Sequence, residues 1–215
     1  MSFKNTLITV LILILLTIAL SMMAANTLPD RIASHWDANG VVNGYQSKAA
    51  FIWTMPGIMV LTALLMLFLP KIDPKKASFM DMRDKYHLFI VAVMIFMFAL
   101  QIYIILQNMG FKFNIILWMI PLFASLMVAT GFLLERATMN WFVGIRTPWT
   151  LSSPVVWKKT HRLGGLLFKI CGLITLLGLF FEPVAFLFIM IPMLGVSFFI
   201  VVYSYIIYQQ EQKRL

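Results

Sequence analysis

Cysteine is nearly absent from this chain: Cys171 stands alone in an apolar run. No disulfide can form within the chain, and a cysteine-rich metal site is excluded. Charge is scarce too, at 12% of residues, where an ordinary soluble domain carries about 25%. Eight residues are acidic: Asp30, Asp37, Asp73, Asp81, Asp84, Glu135, Glu182 and Glu211. None lies in the middle of a long apolar run, where an ion-coupled carrier places its ionisable groups. Gln101, Thr130, Thr175 and Ser197 are the notable polar residues there, and helix-to-helix hydrogen bonds account for them. His-Glu-x-x-His, Gly-x-Ser-x-Gly and phosphate-loop signatures are missing. Three scattered histidines and one cysteine form no triad. The chain therefore reads as a non-enzyme with no metal and no cofactor. A small-molecule or peptide transporter, and a membrane enzyme that assembles its chemistry across loops, are the alternatives.

Apolar residues are what the chain has in plenty, 61% of the total. So few charges cannot cover the surface of a soluble domain. About 20 apolar residues cross a bilayer as a helix. Six runs qualify: Thr6–Ala25, Phe51–Leu69, Leu88–Gln107, Ile115–Leu134, Leu163–Phe181 and Val184–Tyr208. Lipid offers no partner to an unpaired backbone group, so each must be a helix. The expected fold is all-α, a polytopic bundle of six transmembrane helices. The first run follows Lys4 and ends in Met-Met-Ala-Ala-Asn, but it exceeds the core of a signal peptide and reads as a retained span. Pro56, Pro121 and Pro192 fall inside spans and remove one backbone donor each.

The net charge of +9 raises the question of nucleic acid, but the basic residues cluster in alternate loops. Lys4, the group at Lys71, Lys75, Lys76, Arg83 and Lys85, the group at Arg136, Arg146, Lys158, Lys159 and Arg162, and the pair Lys213 and Arg214 share one side. Arg31, Lys48 and Lys112 are left for the other, and Lys169 sits just inside the fifth span, where its stem can snorkel. By the positive-inside rule the first set is cytoplasmic, with both termini inside. The lipid bilayer is then the partner, and no direct contact with nucleic acid is expected. Two domains are expected: residues 1–110 with three spans and an extracytoplasmic loop at 26–50, and residues 111–215 with three spans and a cytoplasmic loop at 135–162.

The outer loop carries His35, Trp36, Asp37 and Gly40 as candidate contact residues. Its Asn39-Gly40 and Asn43-Gly44 dipeptides predict two tight turns and a compact loop. Two ligands, His35 and Asp37, fall short of the three or four a metal needs, so a packed turn with a hydrogen-bonded histidine is the plain reading. The loop from Lys71 to His87 mixes charges of both signs and is expected to be a solvated surface segment.

The polar stretch from Asn140 to Arg162 is the most specific part of the chain. It holds three of the six tryptophans (Trp141, Trp149 and Trp157). Gly144 can take a backbone conformation closed to other residues, and Pro148 disfavours helix at Thr147. The fourth span is thus expected to end before Gly144. Ser152-Ser153-Pro154 reads as a new helix start, with a serine cap and proline at the first position. That helix runs on into the fifth span, with Lys158, Lys159, His161 and Arg162 expected to supply charge. Arg146 has a planar fork suited to a carboxylate, a lipid phosphate or backbone carbonyls. The three tryptophans are candidates to stack on it, or to serve with it as plain interfacial anchors.

At Asn140, Gly144, Ile145, Arg146, Thr147, Pro148, Trp149 and Thr150, continuing to Trp157 and Arg162, the segment resembles the SdpI family of bacterial membrane proteins. The stretch from Leu28-Pro29 through His35-Trp36, Gly40 and Ser47-Lys48 resembles a membrane domain of unknown function that often precedes an SdpI-type half. The resemblance implies an immunity role against a secreted peptide toxin that attacks the membrane. It also implies signalling, by holding a cytosolic transcriptional repressor at the membrane. The motif residues are then the candidate partner-binding set.

Overall fold

The computed structural model describes residues 1–75 and 78–214. Lys76, counted above with the basic side, lies outside the described residues. Among the described residues, six helices are long and apolar enough to cross a membrane: α1 (Phe3–Ala24), α2 (Lys48–Ile72), α3 (Arg83–Asn108), α4 (Ile115–Glu135), α6 (Pro154–Leu177) and α7 (Ala185–Gln212). A one-turn helix, α5 (Pro148–Ser152), sits between α4 and α6. The chain is a multi-pass membrane protein built as a helical bundle.

The helices are apolar on most of their circumference, and their buried stripes are narrow. In α1 the stripe is Thr6, Val10, Ile14, Thr17, Ser21 and Ala24, spaced by three or four residues. Leu11, Leu15 and Met22 on its other faces are exposed, as lipid-facing residues must be. Polar residues on the buried stripes join helices. Gln101 Nε2 of α3 donates to Ser21 Oγ of α1 at 2.7 Å, and Thr175 of α6 donates to the Phe188 carbonyl of α7 at 3.0 Å. Thr130 and Ser197 instead bond back to carbonyls of their own helices.

The tightest seam joins α4 to α6. A Cβ on Gly165 would lie 2.7 Å from the Gly131 carbonyl, and one on Gly131 would lie 2.6 Å from the Gly165 carbonyl. Gly172 stands in the same relation to Ala124, at 2.7 Å. Small residues one or two turns apart let two backbones approach where lipid supplies no hydrophobic drive. At the end of this seam Lys169 pairs with Glu135, so the lysine at the span edge has a carboxylate partner.

One hydrophobic core is built from Ala24, Leu28, Ile32, Phe51 and Ile105 in the first half. Another, in the second half, centres on Ile120, Met127, Cys171 and Ile189. A third crosses between the halves, joining Val10, Met59, Met82, Tyr86 and Ile90 to Leu133, with Ala137 and Val143 packed against it.

Three local expectations need correction. The span ending at Leu69 continues through Pro70 to Ile72, and α2 stops at Asp73 because the following Pro74 disfavours helix there. The loop from Lys71 to His87 is not simply solvated: Phe79, Met82, Tyr86 and His87 are buried. Tyr86 donates to the Met66 carbonyl at 2.7 Å, and His87 Nδ1 lies 2.7 Å from Thr6 Oγ1. These apolar residues recur at helical spacing from the turn before α3, and that outweighs the charges between them. The outer loop is compact, but it holds one tight turn, not two. It is an antiparallel hairpin of β1 (Arg31–Trp36) and β2 (Val42–Ser47), a small strand element within the helical fold. Asn39-Gly40 makes its turn, with Gly40 at φ +78°. Asn43-Gly44 lies within β2, and Gly44 faces His35 so closely that a Cβ would sit 2.8 Å from the His35 Cβ.

Candidate functional site

The loop between α4 and α6 has no strand or ladder, so side chains must satisfy its backbone. Asn140 does most of this, fully buried. Its Oδ1 accepts from the amides of Phe142 (2.9 Å) and Val143 (2.7 Å). Its Nδ2 donates to the carbonyls of Thr138 (2.8 Å) and Val143 (2.9 Å). Both donors and both lone pairs of the amide are used. Asp73, at the end of α2, reaches across: its Oδ2 accepts from the Trp141 amide at 2.9 Å, and its Oδ1 from the Lys75 amide at 2.7 Å. A buried carboxylate thus ties the loop after α2 to the loop after α4.

Gly144 follows at φ +123°, a conformation that L side chains rarely adopt. A Cβ there would fall on His161 Nε2. That nitrogen accepts the Ile145 amide at 2.9 Å, while Nδ1 lies 2.8 Å from the Trp157 carbonyl one turn back on α6. An accepting Nε2 leaves the proton on Nδ1, where it is donated to the carbonyl, so the imidazole is neutral. His161 is buried and stacked on the Trp157 indole with centroids 3.9 Å apart. The expectation that His161 supplies charge is therefore wrong. Its ring serves as a backbone acceptor between α6 and the loop, and only Lys158, Lys159 and Arg162 present charge on this turn of α6. Trp157 Nε1 donates to the Ala137 carbonyl at 2.8 Å, closing the other side.

The Thr-Pro-Trp-Thr run forms α5. Pro148 starts it, and Thr147, held extended at φ −104° and ψ 162°, caps it in a reciprocal box with Thr150. Thr150 Oγ1 also donates to the Ile145 carbonyl at 2.8 Å. Thr147 Oγ1 lies 3.0 Å from Ser204 Oγ, and Trp149 packs on Tyr205 with centroids 5.0 Å apart, so α5 docks on α7. Ser153 then caps α6, accepting the Val156 amide at 3.2 Å, with Pro154 at the first position as the sequence reads.

Arg146 is exposed. Its Nη1 donates to the Trp141 carbonyl at 2.7 Å. The rest of its fork has no partner among the described residues, and none of the three tryptophan rings stacks on it. Arg162 is exposed on α6 and makes no hydrogen bond or ion pair among the described residues. The motif residues therefore divide. Asn140, Gly144, Thr147, Pro148, Trp149 and Trp157 build the loop, while Arg146 and Arg162 present cationic groups.

At the other end of the bundle, Asp37 Oδ1 accepts the amides of Asn39 (2.8 Å) and Val41 (2.9 Å), which holds the Gly40 turn. Trp36 packs edge-on against Tyr103 of α3. His35 is exposed, and its Nδ1 meets Asn43 Oδ1 across the strands. No three His, Cys, Asp or Glu side chains converge on a metal-sized site among the described residues.

Sequence reasoning missed four residues. Asp73 and His161 hold the loop between α4 and α6, Ser204 receives α5, and Asn108 receives the hairpin. Asn108 Oδ1 accepts the Ala33 amide at 2.8 Å, and its Nδ2 donates to the Ala33 carbonyl at 3.1 Å, so the side chain extends the sheet edge. A polar amide at the end of an apolar span, just before Gly110, was the one available signal. Nothing local marks the other three.

Bundle and loop together define a membrane protein with six spanning helices among the described residues. Residues 136–204 match the SdpI/YfhL protein family, from Arg136 just after α4 to the serine that receives α5. Residues 12–60 match a domain of unknown function, DUF1648, which takes in the hairpin and parts of the flanking helices. Both resemblances read from the sequence are borne out. Among characterised proteins, the chain is 27% identical over 183 residues to the Immunity protein SdpI of Bacillus subtilis (strain 168), covering 84% of each chain. No solved structure matches it.

Proposed function

We propose that this chain is an immunity protein that protects its cell from a secreted, membrane-active peptide toxin. The similarity to the Bacillus subtilis immunity protein across 84% of both chains carries this reading. The motif loop faces the cytosol, with both termini, because the basic residues crowd that side. The hairpin then faces the toxin's side of the membrane. Residues 1–110 act as the toxin-facing unit, and residues 111–215 as the unit that presents Arg146 inside.

In this scheme the toxin meets the outer hairpin or the adjoining helix ends, and a cytosolic repressor meets Arg146 and Arg162. A ligand shifts a two-state protein only by binding one state better. The joint at Asp73 and Trp141 is where the two halves meet on the inner face, so it is the contact such a shift would change. The test is survival. A toxin-sensitive bacterium expressing the chain is challenged with a secreted membrane-active peptide, and survival is compared with the empty vector at a verified membrane level. Protection is expected. Survival equal to the vector across the peptides made by related bacteria removes the immunity reading.

A further inference from the structure

Between the inner ends of α1, α2 and α3 lies a cavity of about 490 Å³. Its walls are apolar: Phe3, Met66, Leu67, Phe79 and Ile90 line it. Two polar side chains on the wall are already engaged, Tyr86 with the Met66 carbonyl and His87 with Thr6. The interior therefore suits hydrocarbon and offers little to a polar solute. Lys71 and Arg83 also line the cavity, and no acidic residue does. Neither cation is in an ion pair: the pairs among the described residues are the amino terminus with Asp84, Lys48 with Asp30, and Lys169 with Glu135. Lys71 Nζ rests over the rings of Phe3 (5.2 Å) and Phe68 (4.7 Å), which leaves its charge without an anion. Both cations are exposed.

An apolar hollow with two unpaired cations and no acid is complementary to an amphiphile with an anionic head. We propose that this cavity holds one anionic phospholipid, with an acyl chain against Leu67 and Ile90 and its phosphate against Lys71 and Arg83. A free phosphate would meet the cations but leave the hollow empty. A zwitterionic lipid would fill the hollow but bring its own cation to the mouth. The site is separate from the motif loop and does not depend on the immunity reading.

The test uses the full-length chain in nanodiscs doped with phosphatidylglycerol carrying a photoreactive group in its acyl chain, and with the matching phosphatidylcholine. Crosslinked residues are mapped by mass spectrometry. Labelling is expected at Met66, Leu67, Phe79 or Ile90, with about a thirtyfold preference for phosphatidylglycerol, set by two basic groups at the surface. The exposed double variant Lys71→Ala/Arg83→Ala should bring phosphatidylglycerol down to the phosphatidylcholine level with an unchanged thermal melt. Leu67→Trp, which fills the hollow, should reduce labelling by both lipids. Inorganic phosphate in millimolar excess should leave labelling unchanged. Equal labelling by the two lipids, crosslinks confined to other faces, labelling indifferent to the charge variants, or displacement by inorganic phosphate would each overturn the proposal.

Discussion

Two polar insertions interrupt this bundle, and they are ordered by opposite means. In the outer hairpin the backbone satisfies itself: β1 and β2 pair with each other, and Asn108 completes the edge. Side chains there are free to face outward, and Val41 and Tyr45 are 60% and 56% exposed. In the inner loop the side chains satisfy the backbone. Asn140, Asp73, Thr150 and His161 hold seven backbone groups of the loop between Ala137 and Gly144's neighbours Val143 and Ile145, or close beside it. A residue that fills such a role has its identity fixed by the fold. The distinctive inner motif is therefore mostly architecture, and its outward cations are where the proposed binding role falls. The plainer outer hairpin has more side chains left to vary with a ligand.

This contrast is sharpest at Gly144. Gly144→Ala combines backbone strain with displacement of the His161 ring, and should destabilise the protein by about 3–5 kcal/mol. Thermal unfolding in detergent measures it; an unchanged midpoint would mean the inner loop does not depend on this geometry. Asn140→Ala strands buried amides and carbonyls and should cost about 2–4 kcal/mol by the same measurement. His161→Phe keeps the stacking on Trp157 but removes the acceptor for the Ile145 amide. A loss of about 1–3 kcal/mol is expected, with faster hydrogen exchange at the Ile145 amide than in the parent. In the outer hairpin, Tyr45→Ala should move stability by less than about 0.5 kcal/mol, as at most exposed sites. If it proves as damaging as Asn140→Ala, the contrast between the two insertions fails.

The six spans were legible because each is a run of apolar residues long enough to cross the hydrocarbon. The start of α6 was legible from Ser153 and Pro154, since a cap and a first-turn proline act within four residues. The extended Thr147 was equally local. What escaped reading were the loop contacts that depend on the chain returning. His161 counts as a basic residue until a loop sixteen positions away brings the Ile145 amide to it. Asp73 is one acid in a charged loop until α4 delivers the Trp141 amide from 68 positions away. Asn43-Gly44 carries the same local turn signal as Asn39-Gly40, and only pairing with His35 decides that it lies in a strand.

Arg146→Ala is the most direct test, read as retention of the cytosolic repressor at the membrane of toxin-exposed cells, alongside membrane level and thermal melt. Wild-type abundance and a melt within experimental scatter are expected, because Arg146 is exposed and gives up one hydrogen bond to Trp141, together with at least about a tenfold loss of repressor binding, the scale of one hydrogen bond to a charged group. Full repressor retention at normal abundance would contradict the assignment, leaving the guanidinium as one more brace for the loop.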